Sequence, residues 1–243
     1  MYQEFAPFYD RMMHDVDYDA WTAYLDGFLK EANARTVLDC ACGTGSLAVR
    51  LAKKGYAVTG SDISADMLAV AREKAMRAGF KIPLVQQDMR EISLHKPVDA
   101  VVCACDGVNY LTGDGDARAF FQAAREALAP GGLLLFDVSS AYKLAEAMGD
   151  KPFFEEAEDY TYLWANRYDK RRRLAHMRLT FFVREGAQYT RFAEEHIQRA
   201  YAVEELAALL KEENFALIGV YDAFTDQPPR DNSERIQFVC RKE

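Results

Sequence analysis

The chain has 243 residues, of which 50% are hydrophobic and 28% are charged. This composition is typical of one large folded domain and excludes a disordered tail or a disulfide-stabilised miniprotein. The net charge of −8 opposes nucleic-acid binding, and the basic run Lys170–Arg173 is interpreted as a solvated hairpin tip. No apolar run approaches the roughly 18–20 residues that cross a bilayer. With no secretory signal at the start and five cysteines at low density, the sequence predicts a cytoplasmic protein with reduced thiols.

Strands and helices alternate through about the first 140 residues, and this alternation predicts a parallel sheet covered on both faces. The predicted strands cover residues 36–39, 56–60, 82–87, 98–105 and 133–136. The predicted helices cover residues 46–54, 64–78 and 116–128. Ligands of such sheets bind beyond the carboxyl ends of the strands, so the residues that follow each strand are the candidates for function.

The pattern changes after about residue 150. Aromatic-rich runs at 160–168, 175–184 and 189–200 predict an antiparallel meander of three strands. A helix at 203–213 follows, and residues 215–221 and 236–240 are predicted to pair as a long hairpin.

The end of the first strand carries Asp39-Cys40-Ala41-Cys42-Gly43-Thr44-Gly45. Gly43 to Ala48 fits the G-x-G-x-x-A pattern of dinucleotide sites, which leaves an NAD(P)-dependent oxidoreductase as an alternative. Asp39 favours another ligand, because its carboxylate would repel a pyrophosphate and attract the ammonium group of S-adenosylmethionine. Asp62 and Asp88 end the second and third strands, where they could accept hydrogen bonds from ribose hydroxyls and from an adenine amino group.

These runs together resemble the motifs of the class I S-adenosylmethionine-dependent methyltransferases. Residues 37–45 are similar to the first motif, 58–64 with Met67 to the second, Gln87-Asp88-Met89-Arg90 to the third, and Pro130-Gly131-Gly132 to the approach to strand five. The chain also resembles a bacterial subgroup of small methyltransferases that begin with a Phe-Tyr-Asp segment, here Phe5 to Asp10. The resemblance implies a Rossmann-like α/β fold with a seven-stranded sheet whose last strand is antiparallel.

The same resemblance implies the cofactor contacts. Asp39 and the backbone from Cys40 through Gly43, Thr44 and Gly45 would hold the methionine part. Asp62 would bind the ribose, Ile63 and Met89 would enclose the adenine, and Asp88 would accept from its amino group. The backbone of Cys105 would approach the methionine end, and Tyr9 would close over the carboxylate. Met67, in the second motif, completes the expected set.

Catalytic candidates are fewer. Tyr110 follows the fourth strand, where it would form a wall or a base. His196, within the meander, could act as a general base if the meander covers the cleft. Two hypotheses for the cysteines have weak support: a metal site formed by Cys40, Cys42, Cys103 and Cys105, and a Cys105 nucleophile. We therefore expect no metal.

The sequence thus predicts an N-terminal helical lid (1–29), a Rossmann-like core (30–150 and 201–243) and a small antiparallel β-meander insertion (151–200). The predicted reaction is methyl transfer from S-adenosylmethionine to N or O of a small or modest-sized acceptor. A non-catalytic S-adenosylmethionine-binding module remains a further alternative. We expect a small-molecule acceptor rather than nucleic acid, no membrane partner, and a monomer or a homodimer.

Overall fold

The computed structural model describes residues 6–243, except for the side chain of Pro7. Residues 1–5, which the sequence assigns to the N-terminal lid, lie outside the described residues. The helices are α1 (Ala6–Met12), α2 (Tyr18–Glu31), α3 (Ser46–Lys53), α4 (Ala65–Arg77), α5 (Asp116–Ala127) and α6 (Val203–Glu212). The strands are β1 (Thr36–Cys40), β2 (Ala57–Asp62), β3 (Leu84–Gln86), β4 (Val98–Cys103), β5 (Leu128–Ser139), β6 (Phe153–Glu156), β7 (Tyr160–Asp169), β8 (Leu174–Glu185), β9 (Gln188–Arg199), β10 (Phe215–Asp222) and β11 (Arg235–Lys242). Short 3₁₀ turns cover Met89–Glu91 and Gly107–Tyr110, and a π-helical turn covers Lys143–Met148.

The larger sheet has seven strands in the order β10-β11-β5-β4-β1-β2-β3. Strands β1 to β5 run parallel, whereas β11 is antiparallel to both of its neighbours, β5 and β10. The prediction of a seven-stranded sheet with an antiparallel last strand is therefore confirmed. Because parallel strands end at the same edge, the residues that follow β1, β2, β3 and β4 meet there.

Helices cover both faces of this sheet, which explains why its central strands are continuously apolar. The core on one face joins α2 and α3 to the sheet, and it includes Leu25, Leu29, Leu47, Leu51, Val37, Val102 and Leu135. The core on the other face joins α5 and α6, and it includes Phe120, Phe121, Leu206, Leu210, Leu38, Leu134 and Phe136. Among the described helices the longest has 14 residues, and none is long and apolar enough to cross a membrane.

A separate antiparallel sheet has the order β6-β7-β8-β9. The prediction of three strands was wrong by one, because β6 adds a short edge strand. Its sequence, Phe-Phe-Glu-Glu, lacks the apolar–polar alternation that marks a strand. Alternate residues of β8 are buried, Met177, Leu179 and Phe181 among them. This inner face packs against α1, the start of α4 and the π-helical turn.

The predicted fourth strand is two residues too long. Strand β4 ends at Cys103, whereas continuous apolar character had suggested an end at Cys105. Cys105 and Asp106 have φ angles of 60° and 57°, which lie in the left-handed region and are incompatible with a strand. The chain therefore leaves the sheet early and turns sharply at the carboxyl edge.

Candidate cofactor and acceptor site

The end of β1 buries one carboxylate at the carboxyl edge of the sheet. Asp39 is 2% exposed, and this burial, with the nearby Asp62 carboxylate, raises the pKa of Asp39 to about 7. Its Oδ2 atom accepts no hydrogen bond from residues 6–243. A buried carboxylate oxygen without a donor is energetically costly, so this position favours a ligand that brings a cationic or N–H group.

The loop from β1 to α3 exposes backbone beside that carboxylate. Gly43 and Gly45 have φ angles of 52° and 73°, which glycine adopts without strain. At Gly45 a Cβ would lie 2.9 Å from the Cβ of Ala71, so no larger residue fits there. At Gly43 a Cβ would meet no atom of the described chain within 4 Å outside its immediate neighbours. The loop is thus closely packed on its α4 side and open at Gly43.

The end of β2 is tied to the same loop. The Asp62 carboxylate accepts hydrogen bonds from the backbone N–H of Gly43 at 2.9 Å and of Ser64 at 2.8 Å. Burial raises the pKa of Asp62, although these N–H groups oppose the shift. The next residue, Ile63, is 61% exposed. A hydrogen-bonding carboxylate beside an exposed apolar side chain suits a ribose attached to a flat base.

Asp88, beyond the end of β3, already has a strong partner. Its Oδ2 pairs with Nη2 of Arg90 at 2.6 Å, and its Oδ1 accepts the backbone N–H of the same residue at 2.9 Å. Arg90 lowers the pKa of Asp88 and also pairs with Asp116. An adenine amino group would therefore share this carboxylate with a guanidinium that the sequence did not single out. Met89, beside it, packs at the edge of the core against α5.

The N-terminal helix α1 is anchored directly to the glycine loop. Asp10 accepts a hydrogen bond from Oγ1 of Thr44 at 2.6 Å and forms an ion pair with Lys74 of α4 at 2.7 Å. Nζ of Lys74 also donates to Oγ1 of Thr44 and to Oγ of Ser46. The hydroxyl of Thr44 is therefore occupied by this tether, and Thr44 offers a ligand mainly its backbone. Nothing in the sequence pattern indicates these roles of Asp10 and Lys74.

Other predicted cofactor residues lie farther from open space. The side chain of Cys40 is buried on the α5–α6 face, so it offers only backbone at the carboxyl edge. Met67 is buried in the cluster between α1 and the second sheet, and Tyr9 packs against that cluster. Tyr18, at the start of α2, lies near the cleft: its pKa is raised by burial and by nearby groups that include Cys105 and Asp39. The sequence did not indicate Tyr18.

The turn after β4 is held by a charged network that the sequence did not reveal. The backbone N–H of Asp106 donates to Asp137 Oδ2 at 3.0 Å. The Asp106 carboxylate pairs with Nη2 of Arg235 at 2.7 Å and accepts from Nε2 of Gln198 at 2.6 Å. Arg235 also pairs with Asp137, which is fully buried. In the sequence, only the Asp106-Gly107 dipeptide indicates a turn here. The partners of Asp106 come from distant strands: Asp137 from β5, Gln198 from β9 and Arg235 from β11.

The two predicted catalytic residues lie next to each other. Tyr110 Oη is 3.4 Å from His196 Nδ1, and the two rings form an edge-to-face pair with centroids 5.9 Å apart. Tyr110 is 39% exposed, whereas His196 is 6% exposed. Burial lowers the pKa of His196, so its imidazole is neutral at pH 7. A neutral, buried imidazole behind an accessible phenol can take up a proton.

The cysteines show no sign of chemistry of their own. No group of three or more His, Cys, Asp or Glu residues that could hold a metal ion occurs in the described part of the chain. Burial raises the pKa of Cys42 and of Cys105, which disfavours the thiolate that a nucleophile requires. Cys42 and Cys105 are half-buried, and the other three cysteines are buried.

The donor set of the cleft suits S-adenosylmethionine better than a dinucleotide. The ammonium group of this cofactor would give Asp39 Oδ2 the donor that it lacks. The pyrophosphate of a dinucleotide would instead face two carboxylates, those of Asp39 and Asp62. The open space at Gly43 allows a ligand to approach the loop backbone.

The match to protein families agrees with this chemistry. Residues 37–132 match a methyltransferase domain family. The chain is 41% identical to YqeM of Bacillus subtilis (strain 168), whose name provisionally assigns it to the methyltransferases, and the match covers 100% of this chain and 97% of that protein. The similarity thus includes the second sheet as well as the motifs that follow β1, β2 and β3.

Solved structures share the whole architecture. An S-adenosylmethionine-dependent methyltransferase from Clostridium acetobutylicum ATCC 824 superposes with a TM-score of 0.90 at 32% identity, over 99% of this chain and 98% of that one. The sugar N-methyltransferase KedS8 from Streptoalloteichus sp ATCC 53650 superposes with a TM-score of 0.78 over 96% of this chain and 91% of that one. At 22% identity, the second likeness shows a common fold alone.

Proposed function

We propose that this chain, which belongs to the class I S-adenosylmethionine-dependent methyltransferases, methylates N or O of a small or modest-sized acceptor. The observation that carries the proposal is the pair formed by Tyr110 and His196 at the carboxyl edge of the sheet, 3.4 Å apart. An oxygen or nitrogen acceptor loses a proton when it is methylated, and this pair offers a route for that proton.

In the proposed site the cofactor is held at the ends of three strands. Asp39 binds the ammonium group, Asp62 binds the ribose hydroxyls, and Ile63 covers one face of the adenine. Asp88 shares its carboxylate between Arg90 and the adenine amino group, and the loop backbone around Gly43 supports the methionine part. When bound, S-adenosylmethionine supplies an electrophilic methyl group on a sulfonium. The protein has only to align the acceptor with that group and to exclude water.

Proton removal is assigned to the phenol and the imidazole acting together. Tyr110 Oη is the accessible atom, so it takes the proton of the acceptor while it passes its own proton to His196 Nδ1. His196 is neutral at pH 7 because burial lowers its pKa, and it is therefore ready to accept. His196 belongs to β9 of the second sheet and is 6% exposed.

The position of the second sheet favours a small acceptor. Its inner face packs against α1 and the π-helical turn, and one of its strands, β9, contacts the carboxyl-edge turn through His196 and Gln198. An acceptor must therefore fit beneath a sheet. The sugar N-methyltransferase KedS8 shares this architecture.

The first experiment is a calorimetric titration with S-adenosylhomocysteine, comparing the native chain with Asp62→Ala. We expect micromolar binding by the native protein and a loss of about tenfold or more in the variant, equivalent to about 1.4 kcal/mol. The second experiment supplies S-adenosylmethionine with a panel of small amines and hydroxyl compounds and follows release of S-adenosylhomocysteine. Turnover with an amine or a hydroxyl acceptor supports the proposal.

Two alternatives correspond to other outcomes of these experiments. Binding without turnover on any acceptor, including those in a cell extract, would favour a non-catalytic S-adenosylmethionine-binding module. The absence of binding by the native chain would contradict the proposed cofactor site. An NAD(P)-dependent oxidoreductase now rests on the G-x-G-x-x-A overlap alone, and the family membership opposes it.

A further inference from the structure

The turn that follows β4 contains two successive residues in an unfavourable backbone conformation. Cys105 and Asp106 have φ angles of 60° and 57°. Residues with a Cβ adopt this region at an energetic cost, and two in succession require support from the surrounding structure. The turn leads directly into the 3₁₀ turn that carries Tyr110. Its geometry therefore decides where the Tyr110 ring lies relative to β1 and the cofactor loop.

The carboxylate of Asp106 is bound from two different parts of the fold. One oxygen, Oδ1, pairs with Arg235 at the start of β11, and the other, Oδ2, accepts a hydrogen bond of 2.6 Å from Gln198 of β9. The Arg235 guanidinium is held in turn by Asp137 and lies 5.5 Å from the ring centroid of Trp21 in α2. Besides the backbone hydrogen bond from Asn109 to Asp106 within the turn, support thus comes from β11, with α2 behind the guanidinium, and from the second sheet.

The far end of the turn is bound in the same way. Asn109 is fully buried. Its Nδ2 donates to the carbonyl of Ser139 at 3.0 Å and to that of Arg199 at 2.9 Å, while its Oδ1 accepts from the N–H of Ser139 at 2.8 Å. Strand β9 therefore contacts the turn at both ends, through Gln198 and through the backbone of Arg199. Directly after Asn109, Tyr110 meets His196, which is also a residue of β9.

We propose that Gln198 and Arg235 are positioning residues for methyl transfer: each binds one oxygen of the Asp106 carboxylate, and together they fix the left-handed turn that places Tyr110 against His196. The inference rests on the proposed function, because it concerns the acceptor side of the same site. It assigns the second sheet a further role. Besides covering the acceptor, β9 sets the conformation of the turn that borders the cofactor cleft.

The test uses Gln198→Met, which keeps most of the volume of the side chain and removes its hydrogen bond to Asp106. The matched control is Gln237→Met. Gln237 is also a buried glutamine, on β11, and its Nε2 donates to the carbonyls of Phe136 and Phe238 rather than to Asp106. The chain has four histidines, so the pKa of His196 can be followed by NMR titration and assigned with His196→Gln.

We expect Gln198→Met to raise the pKa of His196 toward its ordinary value of about 6.5, because a displaced Tyr110 lets water reach the imidazole. We also expect affinity for S-adenosylhomocysteine to fall by roughly fivefold, since the turn borders the cofactor cleft. The Gln237→Met control should lose thermal stability while the pKa of His196 stays at the native value. An unchanged His196 pKa in folded Gln198→Met would overturn the proposal and leave Gln198 a purely structural residue.

Asp106→Asn provides a second variant if Gln198→Met does not fold. Asparagine tolerates the left-handed region and still accepts from Gln198, but it loses the ion pair with Arg235. The pKa of His196 should move in the same direction by a smaller amount, and no movement would again contradict the proposal. The NMR titration of His196 needs no acceptor, so its result does not depend on finding the substrate. A native protein that binds S-adenosylhomocysteine without turnover would contradict the proposed function, whereas an unchanged pKa of His196 in the variants would contradict the positioning role.

Discussion

The proposed cofactor side and the proposed acceptor side of the site are built in different ways. On the proposed cofactor side, Asp62 and Asp88 lie at or just beyond the ends of their own strands and accept from backbone two positions further along the chain, that of Ser64 and that of Arg90. On the acceptor side, the contacts join distant parts of the chain. His196 meets Tyr110 across 86 positions, and Gln198 meets Asp106 across 92 positions. Local chemistry therefore defines the first half of the site, and tertiary packing assembles the second.

The strongest way to isolate the cofactor side is to neutralise Asp39. Asp39→Asn keeps the shape of the side chain and removes the charge that would bind an ammonium group. We expect affinity for S-adenosylhomocysteine to fall by about 100-fold, the loss of one buried charge-assisted hydrogen bond. Thermal stability should be unchanged or higher, because the variant no longer buries an ionisable carboxyl. Calorimetry and thermal melting measure the two effects.

The matched control is Asp99→Asn at the opposite end of the same sheet. The Asp99 carboxylate accepts hydrogen bonds from the backbone N–H groups of Arg35 and Thr36 and from the Thr36 hydroxyl. This variant should lower the melting temperature and leave ligand affinity unchanged. The same affinity loss in both variants would show that Asp39 acts through stability rather than through the ligand.

The pH dependence of binding also tests the role proposed for Asp39. Below about pH 7 the free protein holds a proton on Asp39, whose pKa burial raises to about 7. A cationic group must displace this proton, so affinity should fall by up to about tenfold for each pH unit below 7. The pKa of Asp39 in the folded protein lies above its value near 3.8 in the unfolded chain. Protonated Asp39 therefore stabilises the fold at low pH, and this stabilisation is lost as the pH rises from about 4 to about 7. Binding should therefore strengthen while stability declines over that window.

Calorimetry between about pH 5.5 and pH 8.0 tests this dependence, because that range spans the pKa of Asp39, which is about 7. The control is Asp39→Asn, which should bind weakly with little change over the range. A native affinity that does not vary with pH would mean that Asp39 does not meet a cationic group.

Tyr110→Phe separates the acceptor side from the cofactor side. Removal of the phenol should lower turnover by about tenfold or more through loss of the proton route. Affinity for S-adenosylhomocysteine should stay within about twofold of the native value, because the ring remains in place. The control is Tyr189→Phe on β9, a 60% exposed residue whose change should alter neither quantity. Full turnover by Tyr110→Phe would remove the phenol from the mechanism.

The smallest effect is expected at Ile63. Ile63→Ala should weaken binding of S-adenosylhomocysteine by about threefold to tenfold, the loss of apolar contact with a base. The melting temperature should not change, because the native side chain is 61% exposed. Met76→Ala, at a 70% exposed position of α4, is the matched control and should change neither. Equal affinity of Ile63→Ala and the native chain would place the adenine elsewhere.

Periodicity and strand-end residues predicted a parallel sheet and the placement of Asp39, Asp62 and Asp88 at one edge, whereas the seven strands and the antiparallel last strand were implied by the family resemblance. Local patterns suffice there because each strand is buried on both faces and each aspartate follows its own strand. The same approach missed β6, which lacks alternation, and extended β4 through Cys105. An apolar run says nothing about the sign of φ, and the left-handed turn at 105–106 depends on distant partners.

The sequence, with the family resemblance that it carries, therefore determined the fold and the placement of the candidate cofactor residues at strand ends, because hydrophobic periodicity and strand-end motifs are written within short segments. It also named Tyr110 and His196 separately. Their pairing, the Asp106–Arg235–Asp137 network and the tether of Asp10 to Thr44 and Lys74 were decided only by the tertiary structure. Each of these joins segments tens of residues apart, and such contacts depend on how two sheets and their helices pack, which no local pattern encodes.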